Sequence, residues 1–336
     1  MKLTTLAVLL GLAAIGYSLP VEVKPWAVIS DSAGRARLVH INPGKVLVGE
    51  NEPEPYFDPE TDVVFRLFTR RNPVHGAIVN WADGATISNS NFNADHPTRI
   101  LIHGWTEDDD ATLFFVIKDH YLRVGEFNVI TVDWSAGAQT INYIAARNRV
   151  GGVGMITSRL IDTIRSTTGQ SQAMINIIGF SLGAHAAGNA GKQQNGQLDT
   201  VIGLDPAGPL FSEGQADIFT PSDAIYTEAI YTSAGTLGFD GPLADANFYP
   251  NWGRSQPGCI TNTCAHNRVT QLYAESISTE AHFTSIRCAN HNEILNQQCT
   301  SSGPYANMGG EPSNRGRGVT GVYQLMTNSG SPFARG

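Results

Sequence analysis

The sequence predicts an α/β fold in which helices cover both faces of a central, mostly parallel β-sheet. Five short, nearly continuous apolar runs have the pattern of strands buried on both sides: VVFRLF, RILIH, NVITVDW, MINIIGF and TVIGLD. Helical patterns lie between them, and this alternation is typical of βαβ units. With 336 residues, 41% of them hydrophobic, the chain is long enough to bury a sizeable core.

The N-terminal segment, MKLTTLAVLLGLAAIGYSLP, has the pattern of a secretory signal peptide. A basic residue precedes a short apolar run, and small residues follow it at a cleavage site. We therefore predict a signal peptide over residues 1–18, a secreted extracellular protein, and no transmembrane segment after cleavage. Residues 19–55 contain scattered prolines and glycines, which indicates an extension or pro-segment before a main domain at 56–336.

Charge excludes one class of partner. Charged residues make up 15% of the chain, and the formal net charge is −8. No run rich in lysine and arginine is present, so we expect no nucleic-acid partner.

Two helical patterns stand between the predicted strands. The first, ATLFFVIKDHYLRVG, follows the acidic run 107–110, and acidic residues suit a helix N-terminus. The second runs from about Ile141 to Thr168, where apolar residues recur at three- and four-residue spacing. Gly169 is the expected stop of that helix.

The stretch INIIGFSLGAHAAGNAGK places Ser181 between Gly179 and Gly183, where a predicted strand turns into a predicted helix. In that context Gly-x-Ser-x-Gly is a nucleophile elbow, whose strained serine holds its hydroxyl clear of the sheet. Glycines on both sides avoid Cβ clashes where strand and helix approach closely. The five residues alone would also fit a glycine turn, and the flanking strand and helix favour the elbow.

A serine hydroxyl needs a base, and the base needs a carboxylate that holds its tautomer. In chain order, the residue with this carboxylate comes after the elbow serine and before the histidine. TVIGLDPAGP ends a predicted strand at Asp205, at the sheet edge where open α/β sheets build their sites, although strand-end aspartates also serve in turns. Three histidines follow: His266, His282 and His291. His266 lies at the start of a helix-like run, RVTQLYAESI, which begins at Arg268. We favour His266, because a short cysteine-bounded loop before it would fix its position.

An oxyanion requires backbone donors as well. Leu182 follows the serine and supplies one amide, and the other should arise from an earlier strand-to-helix loop. RILIH leads into that loop at His103-Gly104-Trp105. We expect Trp105 to supply the second amide, with its ring lining the acyl site, and His103 to be structural, bonded to neighbouring backbone.

Four cysteines form two local pairs in the sequence. Four cysteines permit three connectivities, which the sequence leaves open. The spacing favours two short loops, from Cys259 to Cys264 and from Cys288 to Cys299. That spacing is poor for zinc, and we predict neither a metal nor a cofactor.

These motifs give the chain a resemblance to the pancreatic (neutral) lipase family of animals, including insect members and venom phospholipases A1. The resemblance runs from about Tyr56 to Pro332 and is carried by VVFRLFTRRNP, RILIHGW, VDWS, IIGFSLGAHAAG, GLDPAGPLF, NFYPNWG and CAHNR. It implies an α/β-hydrolase fold with Ser181 as nucleophile, Asp205 as acid and His266 as base. The two amides named above would then form the oxyanion hole.

The lid region departs from the family pattern. Triglyceride-hydrolysing members carry a long loop between two cysteines, whereas only Ile260, Thr261, Asn262 and Thr263 separate the pair here. By resemblance, so short a lid implies phospholipase A1-like or galactolipase activity, or a lipase that needs no interfacial activation.

Two further departures concern calcium and colipase. The loop that binds calcium in the pancreatic enzymes appears here as EGQADIFTPSD, where Asp223 matches and the other carboxylate positions do not. We therefore expect no calcium. The chain stops where the family's C-terminal β-sandwich would begin, so we expect neither that domain nor a colipase-docking surface.

The expected function is a secreted serine lipase that hydrolyses esters of triacylglycerol, phospholipid or galactolipid at an aggregate or membrane interface. One alternative is a catalytically silent lipid-binding or yolk-type relative. Another is a peptidase, because one triad serves many chemistries.

Overall fold

The computed structural model of the protein describes residues 26–30, 36–40, 56–278, 280, 282–300 and 303–336. The predicted signal peptide, 1–18, lies outside the described residues. Of the predicted extension, 19–55, the structure describes two antiparallel strands, β1 (Trp26–Ser30) and β2 (Ala36–His40).

The remaining strands form one sheet. They are β3 (Val64–Phe68), β4 (Ala77–Val79), β5 (Thr98–Ile102), β6 (Asn128–Asp133), β7 (Ile175–Phe180), β8 (Thr200–Leu204), β9 (Tyr226–Ile230), β10 (Ala246–Pro250), β11 (Thr284–Cys288), β12 (Ala306–Asn307) and β13 (Gly321–Leu325). The α-helices are α1 (Pro59–Asp62), α2 (Ala85–Ser88), α3 (Thr112–Val124), α4 (Ser135–Ala138), α5 (Tyr143–Thr168), α6 (Leu182–Gln193), α7 (Asn262–Ser276) and α8 (His291–Leu295).

The sheet has eleven strands in the order β12-β11-β13-β10-β9-β8-β7-β5-β6-β3-β4. All neighbours from β13 to β6 pair in parallel, and antiparallel pairing is confined to the two edges. The mostly parallel sheet is therefore confirmed, and the five predicted strands are β3, β5, β6, β7 and β8.

Helices cover both faces of this sheet. Ile100 and Ile102 of β5 belong to the apolar core that contains α5 and α6, whereas Leu101 belongs to the opposite core, with α3 and α7. Successive side chains of a strand point to opposite faces. A strand covered on both sides must therefore be apolar throughout, which explains the unbroken apolar run in RILIH.

Local sequence sets the ends of α5, which covers the first face. At its N-terminus the side chain of Asn142 accepts hydrogen bonds from the amides of Ile144 (3.1 Å) and Ala145 (3.3 Å). At its C-terminus Gly169 adopts a left-handed backbone with φ 76°. The predicted stop at Gly169 is confirmed, and the helix starts slightly later than predicted because Asn142 caps it.

Two helices on the other face, α7 and α3, can be compared with the prediction at their N-termini. α7 begins at Asn262, ahead of the helical pattern predicted from Arg268, because the Thr261 hydroxyl accepts a hydrogen bond from the Cys264 amide (3.1 Å). α3 begins at Thr112, just after the acidic run 107–110, as predicted, and its first turn contains no acidic residue. Glu107 instead turns back and accepts a hydrogen bond from the Gly104 amide (2.8 Å).

β9 carries a buried carboxyl group in the middle of the sheet. Glu228 is 1% exposed and accepts hydrogen bonds from the Gly309 amide (2.7 Å) and the Asn314 side chain (2.8 Å). Burial raises the pKa of Glu228 to about 7, and these two donors oppose the shift.

This raised pKa predicts a pH-dependent stability. Between pH 4.5 and about 7 the folded protein binds the Glu228 proton more tightly than the unfolded chain does, so the free energy of unfolding falls as pH rises through this window. We expect Glu228→Gln, which keeps an acceptor but has no charge, to lack this decline. Urea unfolding from below to above the window measures it, with Glu213→Gln at an exposed site as control. A decline in Glu228→Gln equal to that of the wild type would contradict the assignment.

Candidate active site

Ser181 occupies a strained turn between β7 and α6, with φ 57° and ψ −120°. The turn depends on glycine at two positions. A Cβ on Gly179 would lie 2.1 Å from the Gly183 carbonyl oxygen, and one on Gly183 would lie 2.3 Å from the carbonyl oxygen of Ile102. The backbone therefore has the tight strand–turn–helix geometry that an elbow requires.

The structure brings Ser181, His266 and Asp205 together. The Ser181 Oγ lies 2.9 Å from the His266 Nε2, and the His266 Nδ1 lies 2.6 Å from the Asp205 Oδ2. A carboxylate only accepts, so Nδ1 carries the proton and Nε2 is free to accept the serine hydroxyl proton. Ser181 and His266 are each 8% exposed, and Asp205 is fully buried.

The other two candidate histidines lie apart from this site. His282 is exposed and lines a separate surface cavity with His120 and Glu275. His291 packs against Tyr249 at the start of α8. Among the described residues, His266 is the histidine that contacts Ser181.

Asp205 is held by a network that the sequence did not reveal. Its Oδ1 accepts hydrogen bonds from the amides of Thr232 (2.9 Å) and Ser233 (3.2 Å). Its Oδ2 accepts hydrogen bonds from the Ser233 hydroxyl and from the His266 ring. Ser233 follows β9, which pairs with β8, and Asp205 comes directly after β8. The meeting of parallel strand ends at one sheet edge is the signal that could have identified it.

The two backbone segments expected to bind an oxyanion both lie beside Ser181. A Cβ on Gly104 would be 2.9 Å from the Ser181 Cβ, so the chain before Trp105 is packed against the serine. Leu182 opens α6, where the first amides of a helix have no intrahelical acceptor. The amides on either side of Trp105 are engaged, since Gly104 donates to Glu107 and Thr106 to a backbone carbonyl (3.1 Å).

The side chains around this segment are fixed. The fully buried His103 bonds to backbone on both sides, because its Nδ1 donates to the Gly104 carbonyl (2.8 Å) and its Nε2 accepts the Trp134 amide (3.0 Å). The Trp105 indole donates to the Thr140 carbonyl (2.8 Å) and meets the Tyr143 ring edge-on at 4.8 Å. His103 thus makes the backbone contacts expected of a structural residue.

Both disulfides join the local pairs that the spacing favoured, Cys259 with Cys264 and Cys288 with Cys299. Between the first pair, Ile260 and Thr261 form a short turn, and Asn262 and Thr263 already belong to the first turn of α7. Ile260 at its tip is fully exposed.

In the loop compared above with a calcium site, the Asp223 carboxylate forms an ion pair with Lys192. The Lys192 ammonium lies 2.9 Å from the Asp223 carboxylate and donates to the Ile218 carbonyl (2.6 Å). Burial raises the pKa of Asp223, and the nearby Lys192 opposes that rise. Among the described residues, one group of His, Cys, Asp and Glu side chains lies close enough together to hold a metal ion. That group contains Cys288 and Cys299, whose sulfurs are already joined in a disulfide.

Sheet order and the strained serine turn define the class of protein as an α/β-hydrolase. An alpha-beta serine hydrolase homologue from Coxiella burnetii superposes with a TM-score of 0.31, at 15% identity, over 43% of this chain and 65% of that one. The sheet, the strained turn and the family define the fold.

The profile of the Lipase family matches residues 46–333. Pancreatic triacylglycerol lipase of Sus scrofa is 31% identical over 91% of this chain and 73% of its own length. Lipase member H of Oryctolagus cuniculus is 34% identical, covering 73% and 55%, and phospholipase A1 member A of Bos taurus is 35% identical, covering 70% and 53%. The chain belongs to the pancreatic lipase family, and it spans between 53% and 73% of the length of these three relatives.

None of the helices in the part of the chain that the structure describes combines the length and apolar character needed to cross a bilayer.

The Lys192–Asp223 pair leads to a stability prediction. Lys192→Met leaves a buried carboxylate without its cation, which typically costs about 3–5 kcal/mol; the partly exposed lysine places the expected loss near the lower end. Lys192→Arg keeps the charge and is the matched control. Urea unfolding measures both variants, and equal stability of Lys192→Met and wild type would rule out the role given to this pair.

Because the Lys192 ammonium already fills the site beside Asp223, we also expect the melting temperature of the wild type to be the same in calcium and in chelator.

Proposed function

We propose that the protein is a secreted serine esterase that hydrolyses carboxylic esters of glycerolipids, with Ser181 as nucleophile, His266 as base and Asp205 as acid. The observation that carries the proposal is the continuous hydrogen-bonded line from the Ser181 hydroxyl through the imidazole to the Asp205 carboxylate. Membership of the pancreatic lipase family supports ester hydrolysis. The signal-like N-terminus and the extracellular pattern of paired cysteines support secretion.

Acylation uses this line directly. The His266 Nε2 takes the hydroxyl proton as Oγ attacks the ester carbonyl carbon, and the Asp205 carboxylate stabilises the imidazolium that forms. The tetrahedral intermediate collapses when the imidazolium gives its proton to the leaving alkoxide. The lipid alcohol departs, and the acyl group remains on Ser181.

Deacylation repeats the same steps with water. The imidazole takes a proton from a water molecule, whose oxygen attacks the acyl carbonyl carbon. The second intermediate then releases the fatty acid, and the serine recovers its proton. In both halves, we propose that the amides of Leu182 and Trp105 stabilise the oxyanion.

The short turn at residues 260–261 supports a substrate class within this proposal. A turn this short, held by a disulfide, leaves little chain that could close over Ser181. The relatives include both a triacylglycerol lipase and a phospholipase A1 at similar identity. We propose activity like that of a phospholipase A1, or of a lipase that works without a lid.

Replacing the nucleophile tests the chemistry. We expect Ser181→Ala to lower kcat on a nitrophenyl butyrate ester by about 10⁶-fold, because the acyl-enzyme cannot form. Ser166→Ala, an exposed serine on α5, is the control and should match the wild type. Hydrolysis by purified Ser181→Ala at the wild-type rate would refute the assignment.

Product analysis tests the substrate class. Phosphatidylcholine, galactolipid and trioleoylglycerol emulsions are incubated in parallel, and released fatty acid and residual lipid are identified by mass spectrometry. The short turn predicts a lysophospholipid that has lost its sn-1 acyl chain as a dominant product. Turnover of trioleoylglycerol alone would show that the short lid does not favour phospholipids.

A further inference from the structure

Two consecutive peptide units in front of Ser181 are clamped by side chains. In the first, the His103 carbonyl accepts the Trp134 indole N–H (2.9 Å) and the Gly104 amide donates to the Glu107 carboxylate (2.8 Å). In the second, the Gly104 carbonyl accepts from the His103 ring (2.8 Å). A trans peptide is planar, so fixing the Gly104 carbonyl points the Trp105 N–H in the opposite direction.

We infer that Glu107 is a positioning residue for the oxyanion hole: its carboxyl group holds Gly104 so that the Trp105 amide faces the Ser181 site. The inference rests on the esterase function proposed above. Glu107 does not contact the reacting atoms, and it acts through the backbone of Gly104.

The position of Gly104 explains why such a clamp is needed. Glycine has more backbone freedom than any other residue, and this one must lie against Ser181 because no Cβ fits between them. Two residues later Thr106 has a positive φ of 63°, a strained conformation that persists only where its surroundings enforce it. Without the Glu107 acceptor, the Gly104 N–H would be left unsatisfied in the interior, and this segment could relax.

Glu107 is set apart from the rest of its acidic run. Asp109 and Asp110 are exposed, whereas Glu107 is partly buried. Loss of solvation raises the pKa of Glu107, and His103 and the Gly104 N–H oppose the rise. A carboxyl oxygen accepts the amide proton in either protonation state, so the clamp requires an acceptor at this position and does not require a charge.

Two substitutions of Glu107 form a matched pair. Glu107→Gln keeps both the length and the acceptor, and Glu107→Met keeps the length without the acceptor. Asp110→Ala, in the same run and exposed, controls for loss of a surface charge. Loss of one oxyanion donor typically lowers turnover by about 10²–10³.

The experiment measures kcat and KM on a nitrophenyl butyrate ester, together with the affinity for an alkyl boronic acid that forms a tetrahedral adduct on Ser181. We expect Glu107→Met to lose about 10²-fold in kcat with little change in KM, and to lose boronate affinity by a comparable factor. Glu107→Gln should stay within about threefold of wild type, because the acceptor remains. A purely structural residue would not separate kcat from KM in this way.

Wild-type kcat in Glu107→Met would overturn the inference, and so would an equal loss in both Glu107 variants, which would point to a role for the charge. If Glu107→Met does not fold, judged by circular dichroism and melting temperature, Glu107→Ala takes its place under the same criteria. The wild type separates the two proposals. If the wild type hydrolyses the ester and Glu107→Met has the same kcat, only the role of Glu107 is refuted. If the wild type hydrolyses no ester, the proposed function is refuted.

Discussion

The close approach of α6 to the sheet at Ser181 is the constraint on which the rest of the site depends. Gly179 and Gly183 make the approach possible, since a Cβ on either would overlap backbone atoms. The strained serine costs on the order of 1–3 kcal/mol, which the buried packing of strand and helix must offset. The same small face continues along α6, where Gly191 lies against the backbone of Asp223. Small residues therefore let one helix contact both the sheet and the loop after Asp205.

Most residues of the site follow four adjacent strands of the sheet. β5, β7, β8 and β9 are neighbours in the sheet, and Trp105, Ser181, Asp205 and Ser233 follow them in that order. Parallel strands bring their carboxyl ends to one edge, so residues that are distant in sequence meet without any long loop. Only His266 comes from a helix across this edge. Its place within α7, two residues after Cys264 of the disulfide, gives the imidazole a rigid backbone.

The sequence predicted those parts of the site that have a local pattern. Strands buried on both faces give unbroken apolar runs, and the elbow has fixed spacing, so the sheet core and the surroundings of Ser181 were predictable. Thr261 caps α7 from between the two cysteines, so the helix begins ahead of the periodic pattern that predicts it. Ser233 and Glu107 act through hydrogen bonds to other segments. Serines and acidic residues are common in loops, and neither residue has a spacing that marks its role before the strands are placed.

α6 also ties the nucleophile to the acid. His185, one helical turn after Ser181, is fully buried; its Nε2 donates to the Ala207 carbonyl (2.8 Å) and its Nδ1 accepts the Phe219 amide (3.1 Å). Burial lowers the pKa of His185 to about 3, so the ring stays neutral and can donate and accept at once. The loop that begins at Asp205 is thus bonded to the helix that begins after Ser181. These bonds of His185 link the two segments that carry Ser181 and Asp205, in addition to the bonds from Thr232 and Ser233 to the Asp205 carboxylate.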